Sequence, residues 1–207
     1  LSEFGAVRPS GLIAVNLDPG DVLGWARLTS GDDQLVIVTA AGRALRFHES
    51  KVRAMGRQAA GVRAIRLKEG DFVTSVDVVD PKGDLLVVTR NGYGKRTPLQ
   101  QYTPKGRGTG GVTTLNLSKM ELTGLIAAAM VVHDEDDLTI ISSGGIVLRT
   151  KVKQIKRAGR ATMGVRVIKL NEGETVASVA RIAAKDLKAA GVEAETRPAE
   201  SPPPPAG

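Results

Sequence analysis

A seven-residue segment returns about every fifty residues, and it limits the possible folds more than any other feature. Its copies are Gly11-Leu-Ile-Ala-Val-Asn-Leu17, Gly61-Val-Arg-Ala-Ile-Arg-Leu67, Gly111-Val-Thr-Thr-Leu-Asn-Leu117 and Gly164-Val-Arg-Val-Ile-Lys-Leu170. Ten residues past each leading glycine stands an acid: Asp21, Asp71, Glu121 and Glu174. The last three copies are entered through Gly-Arg-x-x-x-Gly, starting at Gly56, Gly106 and Gly159. Within each complete unit a Gly is followed four positions on by Arg: Gly42/Arg46, Gly92/Arg96 and Gly145/Arg149. Features matched in one register across the chain define a repeat protein, whose units bury their apolar faces against one another.

Each unit reads as β structure. Gln34–Thr39 and Asp84–Thr89 are short, β-branched-rich apolar runs bounded by turn residues. Asn91-Gly92 predicts a two-residue hairpin turn, a type with positive φ at both central positions. Val62–Leu67 predicts a further strand with partly segregated faces. About four short strands in fifty residues suit a propeller blade. Residues 11–182 therefore predict an all-β, propeller-like array of three to four blades, with units starting near 11, 61, 111 and 164. An array that short has open edges, consistent with a fragment. Residues 1–10 read as a leader, consistent with a cloning remnant. Residues 183–207 read as a short helix, from about Ile182 to Ala190, followed by a disordered proline-rich tail.

Composition removes several function classes. Without cysteine there are no disulfides, thiolate metal sites or cysteine nucleophile. His48 and His133 are too few for a histidine metal cage. Both are expected at the surface, with the acidic run Asp134–Asp137 a solvated hairpin tip. The longest apolar run, Leu125–Val132, is too short to span a bilayer, so no membrane partner is expected. Gly106–Gly111 matches the dinucleotide fingerprint, but Pro104 precedes it and a β-like segment follows, where that motif needs a strand and then a helix. Gly56–Gly61 is followed by Val62, not by the lysine of a phosphate-binding loop. No catalytic residues and no cofactor are expected.

Charge is the informative part of the composition. The net charge of +7 hides three cationic stretches, 43–57, 95–107 and 149–160, with fifteen basic residues and one acid, Glu49. The candidate site residues are Arg43, Arg46, Arg53, Arg57, Lys95, Arg96, Lys105, Arg107, Arg149, Lys151, Lys153, Lys156, Arg157 and Arg160. Such segregation points to a polyanion-facing surface. Only six aromatic residues are available as stacking platforms, which disfavours single-stranded nucleic acid.

The repeated Gly-Arg-x-x-x-Gly-Val, the acid ten residues past its glycine and Asn91-Gly-Tyr-Gly-Lys-Arg-Thr97 resemble the C-terminal domain of bacterial DNA gyrase A. The paralogous chain of topoisomerase IV is similar. The resemblance covers about Gly11 to Ile182. It implies a β-pinwheel, a propeller-like array whose neighbouring blades exchange strands and whose basic rim binds and bends duplex DNA. It also implies a non-catalytic part of an ATP-hydrolysing bacterial topoisomerase, in the cytoplasm with the nucleoid. Its partners would be double-stranded DNA, the rest of gyrase A and, through it, gyrase B. The family's box, Gln-Arg-Arg-Gly-Gly-Lys-Gly, is absent. Lys105-Gly106-Arg107-Gly108-Thr109-Gly110-Gly111 is a degenerate version, with Gly106, Arg107, Gly108, Gly110 and Gly111 as the box-like loop. Nothing here matches the family's DNA-cleaving tyrosine.

Glycine-rich loops turn tightly and let a phosphate approach backbone N–H groups, and an arginine adds a forked charged donor. The bland alternative for Arg57, Arg107 and Arg160 is an ion pair within the blade to Asp71, Glu121 or Glu174. For Arg46, Arg96 and Arg149 it is a solvated outer strand. A propeller-type protein-interaction module is the competing function.

Overall fold

A computed structural model of the chain describes residue 5 and residues 9–189. Residues 1–4 and 6–8 of the leader, and 190–207 of the tail, lie outside the described residues. The strands are β1 (Gln34–Thr39), β2 (Arg43–His48), β3 (Val73–Val78), β4 (Asp84–Thr89), β5 (Tyr93–Pro98) and β6 (Val112–Thr113). They continue with β7 (Ile126–Val132), β8 (Asp137–Ser142), β9 (Val147–Lys151), β10 (Val165–Arg166) and β11 (Val176–Ile182). Among the described residues there are two short α-helices, α1 (Met120–Thr123) and α2 (Ala184–Ala189). The second lies within the segment expected to be helical. None of the described helices is long and apolar enough to cross a membrane.

The strands form three antiparallel sheets, ordered β3-β1-β2-β6, β10-β5-β4-β7 and β11-β8-β9. Each is a blade built on a central hairpin. The flanking strands come from later units: β3 joins the first hairpin from the second unit and β6 from the third, and β7 joins the second hairpin from the third unit and β10 from the fourth. The blades are thus completed by strand exchange, in keeping with the pinwheel expectation.

β4 shows why its sequence is apolar throughout. Leu85 and Val87 face the first blade, in a core with Val36, Val38 and Leu99, while Leu86 and Val88 face the third blade, in a core with Leu138, Ile140 and Ile155. A strand between two neighbours has no solvent side, so hydropathy does not alternate. On the far face of the first blade, Ile37, Leu45, Phe47 and Ile65 form a smaller core.

Two sequence expectations are corrected. Asn91-Gly92 is not a two-residue turn with positive φ at both positions, because among the described residues only glycines have positive φ. Gly92 N–H instead donates to Thr89 C=O (3.0 Å), and Gly92 itself carries the positive φ of 79°. The loop is a longer one, closed by a glycine in the left-handed region. A hydroxyl supports it: Thr89 Oγ1 accepts from Tyr93 N–H, as Thr39 Oγ1 does from Arg43 N–H and Ser142 Oγ from Ile146 N–H. The second correction concerns Val62–Leu67, which forms no strand, although its equivalents provide β6 and β10. Gly111 and Gly164 lie so close to the backbone of β2 and β5 that an added Cβ would stand 2.5 Å from the carbonyl oxygens of Ala44 and Gly94. Gly61 meets nothing within 4 Å.

Candidate nucleic-acid interface

The chain after each hairpin forms a 3₁₀ turn, at Glu49–Lys51, Leu99–Gln101 and Val152–Gln154, and then the cationic loop. The second and third loops fold back along the outer strand of the preceding blade. Lys105 N–H donates to Arg46 C=O (2.8 Å), and Ala158 N–H donates to Arg96 C=O at the equivalent place (2.9 Å). The loops therefore occupy matching positions on successive blades, along one edge of the stack.

The fourteen candidate cations separate by role. Arg46 is half-buried and Arg96 buried, so neither stands on a solvated strand, whereas Arg149 is exposed on β9. Each pins its hairpin across the strands: Arg46 Nε to Gln34 Oε1 (2.6 Å), Arg96 to Asp84 Oδ2 (3.2 Å) and Arg149 Nε to Asp137 Oδ2 (2.8 Å). Arg46 and Arg96 also reach the carbonyls of Tyr102 and Ile155, just past the next unit's 3₁₀ turn. Burial holds the Arg46 guanidinium below its ordinary value.

The Gly-Arg-x-x-x-Gly arginines form a second structural series. Arg57, Arg107 and Arg160 donate to the carbonyls of Ile13 (3.2 Å), Arg63 (3.0 Å) and Thr113 (3.4 Å), in each case the third residue of the segment that opens the same unit. Their bonds close the end of each unit onto its start, and the alternative ion pairs to Asp71, Glu121 and Glu174 are not the contacts made. Asp71 accepts from the backbone N–H of Ala41 and Phe72. Glu174 accepts from Asn171, which holds its carboxyl below the ordinary range.

Lys95 and Arg96, expected at the rim, are buried at 0% and 8% exposure. Arg96 pairs with Asp84 and with Asp134. Arg157 is exposed, yet its guanidinium binds Asp84 Oδ1 at 2.8 Å, and that bond raises its pKa. Arg43 is half-buried on Thr113 Oγ1, and Lys151 is half-buried on Asp137. For Asp137, burial works to raise the pKa, but the hydrogen bonds from Lys151 and Arg149 outweigh it and leave the carboxyl below its usual range.

Arg53, Lys105, Lys153 and Lys156 remain. All four are exposed, and among the described residues none makes a side-chain hydrogen bond or ion pair. Sequence reasoning passed over Arg63 and Arg66, which are also exposed and lie beside the box-like loop: Arg63 C=O accepts from Arg107, and Arg66 N–H donates to Thr109 C=O. Their position in the repeated segment was the available signal, since Gly106–Gly111 had to pack on an earlier copy. The loop is held by backbone bonds, including Gly108 N–H to Ala64 C=O, and by the Arg107 side chain, whose Nε donates to Lys51 C=O.

The second half of the acidic run differs from expectation, while both histidines lie at the surface as expected. Asp136 and Asp137 are buried at 3% and 4% exposure, Asp136 accepting from the backbone N–H of His133 and Ala184. His133 is half-buried, its Nε2 2.9 Å from Asp80 Oδ2, and His48 is half-buried between Ser50 and Asp32.

The family model described as DNA gyrase C-terminal domain, beta-propeller, matches residues 33–80, 83–132 and 136–183, one span per blade. The chain belongs to this gyrase C-terminal domain family. It is 41% identical over 188 residues to the DNA gyrase A protein of Staphylococcus epidermidis, covering 90% of this chain and 21% of that protein. To the DNA gyrase A protein of Escherichia coli K12 it is 43% identical over 183 residues, covering 88% and 21%. The chain thus spans about a fifth of the length of the curated relatives it matches. Among solved structures, a DNA gyrase A C-terminal domain superposes with a TM-score of 0.76 at 28% identity, over 83% of this chain and 58% of that one. The C-terminal domain of a DNA topoisomerase IV superposes with a TM-score of 0.83 at 30% identity, over 91% and 59%. In this chain the arginines that recur in register build the repeat, while Arg53, Lys105, Lys153 and Lys156 stand open to solvent.

Proposed function

We propose that this chain is a duplex-DNA-binding and DNA-wrapping part of a type II topoisomerase, acting without a catalytic residue or cofactor of its own. The observation that carries this reading is the set of unpaired cations on equivalent loops of successive blades: Arg53 after the first hairpin, Lys105 after the second, Lys153 and Lys156 after the third. Arg63, Arg66 and the exposed Arg107 add to the first cluster. Charges on a shared edge suit a phosphate backbone, which carries most of the affinity and positions the duplex without reading sequence. Bending a 20–30 base-pair site by 40–90° costs about 1–6 kcal/mol, and phosphate contacts along the edge would offset it. In the longer protein, a duplex held this way enters the catalytic core of gyrase A, working with gyrase B, with a fixed sense of crossing. The setting is the bacterial cytoplasm at the nucleoid.

The test is duplex affinity against salt. Each neutralised phosphate contributes about −0.9 to the slope of log affinity on log salt, so a slope steeper than about −4 is expected. Lys105→Ala and Arg107→Ala both reduce it. A flat salt response, or binding to a protein alone, overturns this reading in favour of a protein-interaction propeller.

A further inference from the structure

The two loops that lie along the outer strands are anchored differently. In the first blade the residue in register with Lys95 is Leu45, buried in an apolar cluster and close to Gly111 at the end of the loop. In the third blade the equivalent position is Leu148, which packs against the second core. The second blade has Lys95 there. Its side chain is fully buried, and its ammonium donates to Gly159 C=O (2.7 Å), Arg160 C=O (2.5 Å) and Thr162 Oγ1 (3.2 Å). All three donors of the ammonium are used, all on one turn. That turn carries Arg160, adjoins Lys156 and Arg157, and closes on itself through Thr162 Oγ1 to Gly159 C=O (2.9 Å).

Burying an ammonium is costly unless its donors are filled, and two sister blades show that leucine suits this position. The lysine is thus explained by what it holds rather than by the core it occupies. We propose that Lys95 is a positioning residue for the DNA-facing edge: it fixes the Gly159–Thr162 turn from below and so keeps Lys153, Lys156 and the adjoining loop in place for phosphate contact. This rests on the DNA-binding reading above.

The charges around Lys95 allow a second readout. Arg160 faces it from the turn, and Arg166 lies over Tyr93 on the same strand, 5.3 Å from the ring centre. Arg96 and Arg157 are balanced by Asp84. Burial, with help from Arg160, brings the Lys95 ammonium down to about 8. Because an unfolded lysine titrates near ~10.4, the unfolded chain binds more protons between these values, and this group makes folding more favourable as pH rises through that window. In the same window the turn loses the charge that grips its carbonyls.

The experiment compares the wild-type chain with Lys95→Leu, the residue the sister blades carry. Amide hydrogen exchange of residues 159–163 is expected to quicken by about tenfold in the variant while residues 106–111, seated on Leu45, do not change. Duplex affinity falls by about threefold or more, with a shallower salt slope. The wild-type gain in stability between pH 8 and ~10.4 disappears in the variant. Unchanged exchange in the turn overturns the proposal, and so does faster exchange with unchanged affinity. If wild type itself fails to bind duplex while exchange still responds, the DNA reading falls and Lys95 stands only as the anchor of the turn. Should Lys95→Leu fold poorly, the wild type alone decides: turn exchange rising relative to 106–111 as pH passes about 8 supports the anchor, and a constant ratio overturns it.

Discussion

The loop over the first blade and the loop over the second trace the same path along an outer strand, but different chemistry holds them. The first, around Lys105–Gly111, is tied by backbone groups and by Arg107 to carbonyls, so Lys105, Arg53, Arg63 and Arg66 are left open to solvent. The second, around Lys156–Gly164, uses Lys95 from beneath and Asp84 from the side, and Asp84 neutralises Arg157 and Arg96. The difference teaches that cationic sequence and cationic surface are not the same quantity. A backbone anchor leaves charge available to a ligand, whereas a side-chain ion pair removes it.

The largest break in this comparison is expected from Asp84→Ala. It leaves Arg96, whose side chain is 10% exposed, without its buried carboxylate partner, a kind of loss that typically destabilises by about 3–5 kcal/mol. Urea denaturation would measure it, and a midpoint unchanged from wild type would show that Asp134 alone suffices for Arg96. Next in size is the pair Gly111→Ala and Gly61→Ala. Both strain a positive φ, but only the first drives a Cβ into a carbonyl, so Gly111→Ala is expected to cost about 1–3 kcal/mol more than its twin. Equal thermal shifts would contradict the close approach of the exchanged strand.

Smaller still is the effect of discharging the open cations. Arg53→Ala and Lys105→Ala are each expected to leave thermal stability within about ±0.5 kcal/mol and to reduce the salt slope of duplex binding by about 0.9. Arg46→Ala, removing a hairpin pin, should do the reverse, lowering stability with little change of slope. The smallest effect is in pH. The Asp137 carboxyl is depressed in the fold, so its contribution is present above the unfolded carboxylate value of ~3.9 and is lost as pH falls through the lower folded value. Asp137→Asn should flatten that acid limb in a pH series of denaturation midpoints.

The fold was largely legible because a repeat leaves its mark wherever its units touch. The runs at Gln34–Thr39 and Asp84–Thr89 coincide with β1 and β4, and two of the leading glycines, Gly111 and Gly164, mark where an exchanged strand crosses its neighbour's backbone. Strand Val62–Leu67 was not to be found because strand formation depends on a partner edge, and the edges that receive β6 and β10 have no described counterpart for this copy. The site was less legible for a related reason. Periodicity drew attention to Arg46, Arg57, Arg96, Arg107, Arg149 and Arg160, yet it registers any demand made in every unit, and here that demand is joining strands and closing each unit onto its opening segment. Pairing of Arg157 with Asp84 spans 73 residues and leaves no local pattern, and neither does the burial of Lys95.

The route by which each sheet acquires its last strand bears on how such a chain emerges from a ribosome. The first hairpin ends at His48, but its sheet is incomplete until Val112 is available, and the second waits from Pro98 until Val165. Neither of these two blades can mature alone and be handed on finished. Each holds an unfilled flank through the synthesis of its successor, so nascent copies held close together could trade strands between chains, and elongation speed across these intervals becomes a determinant of yield.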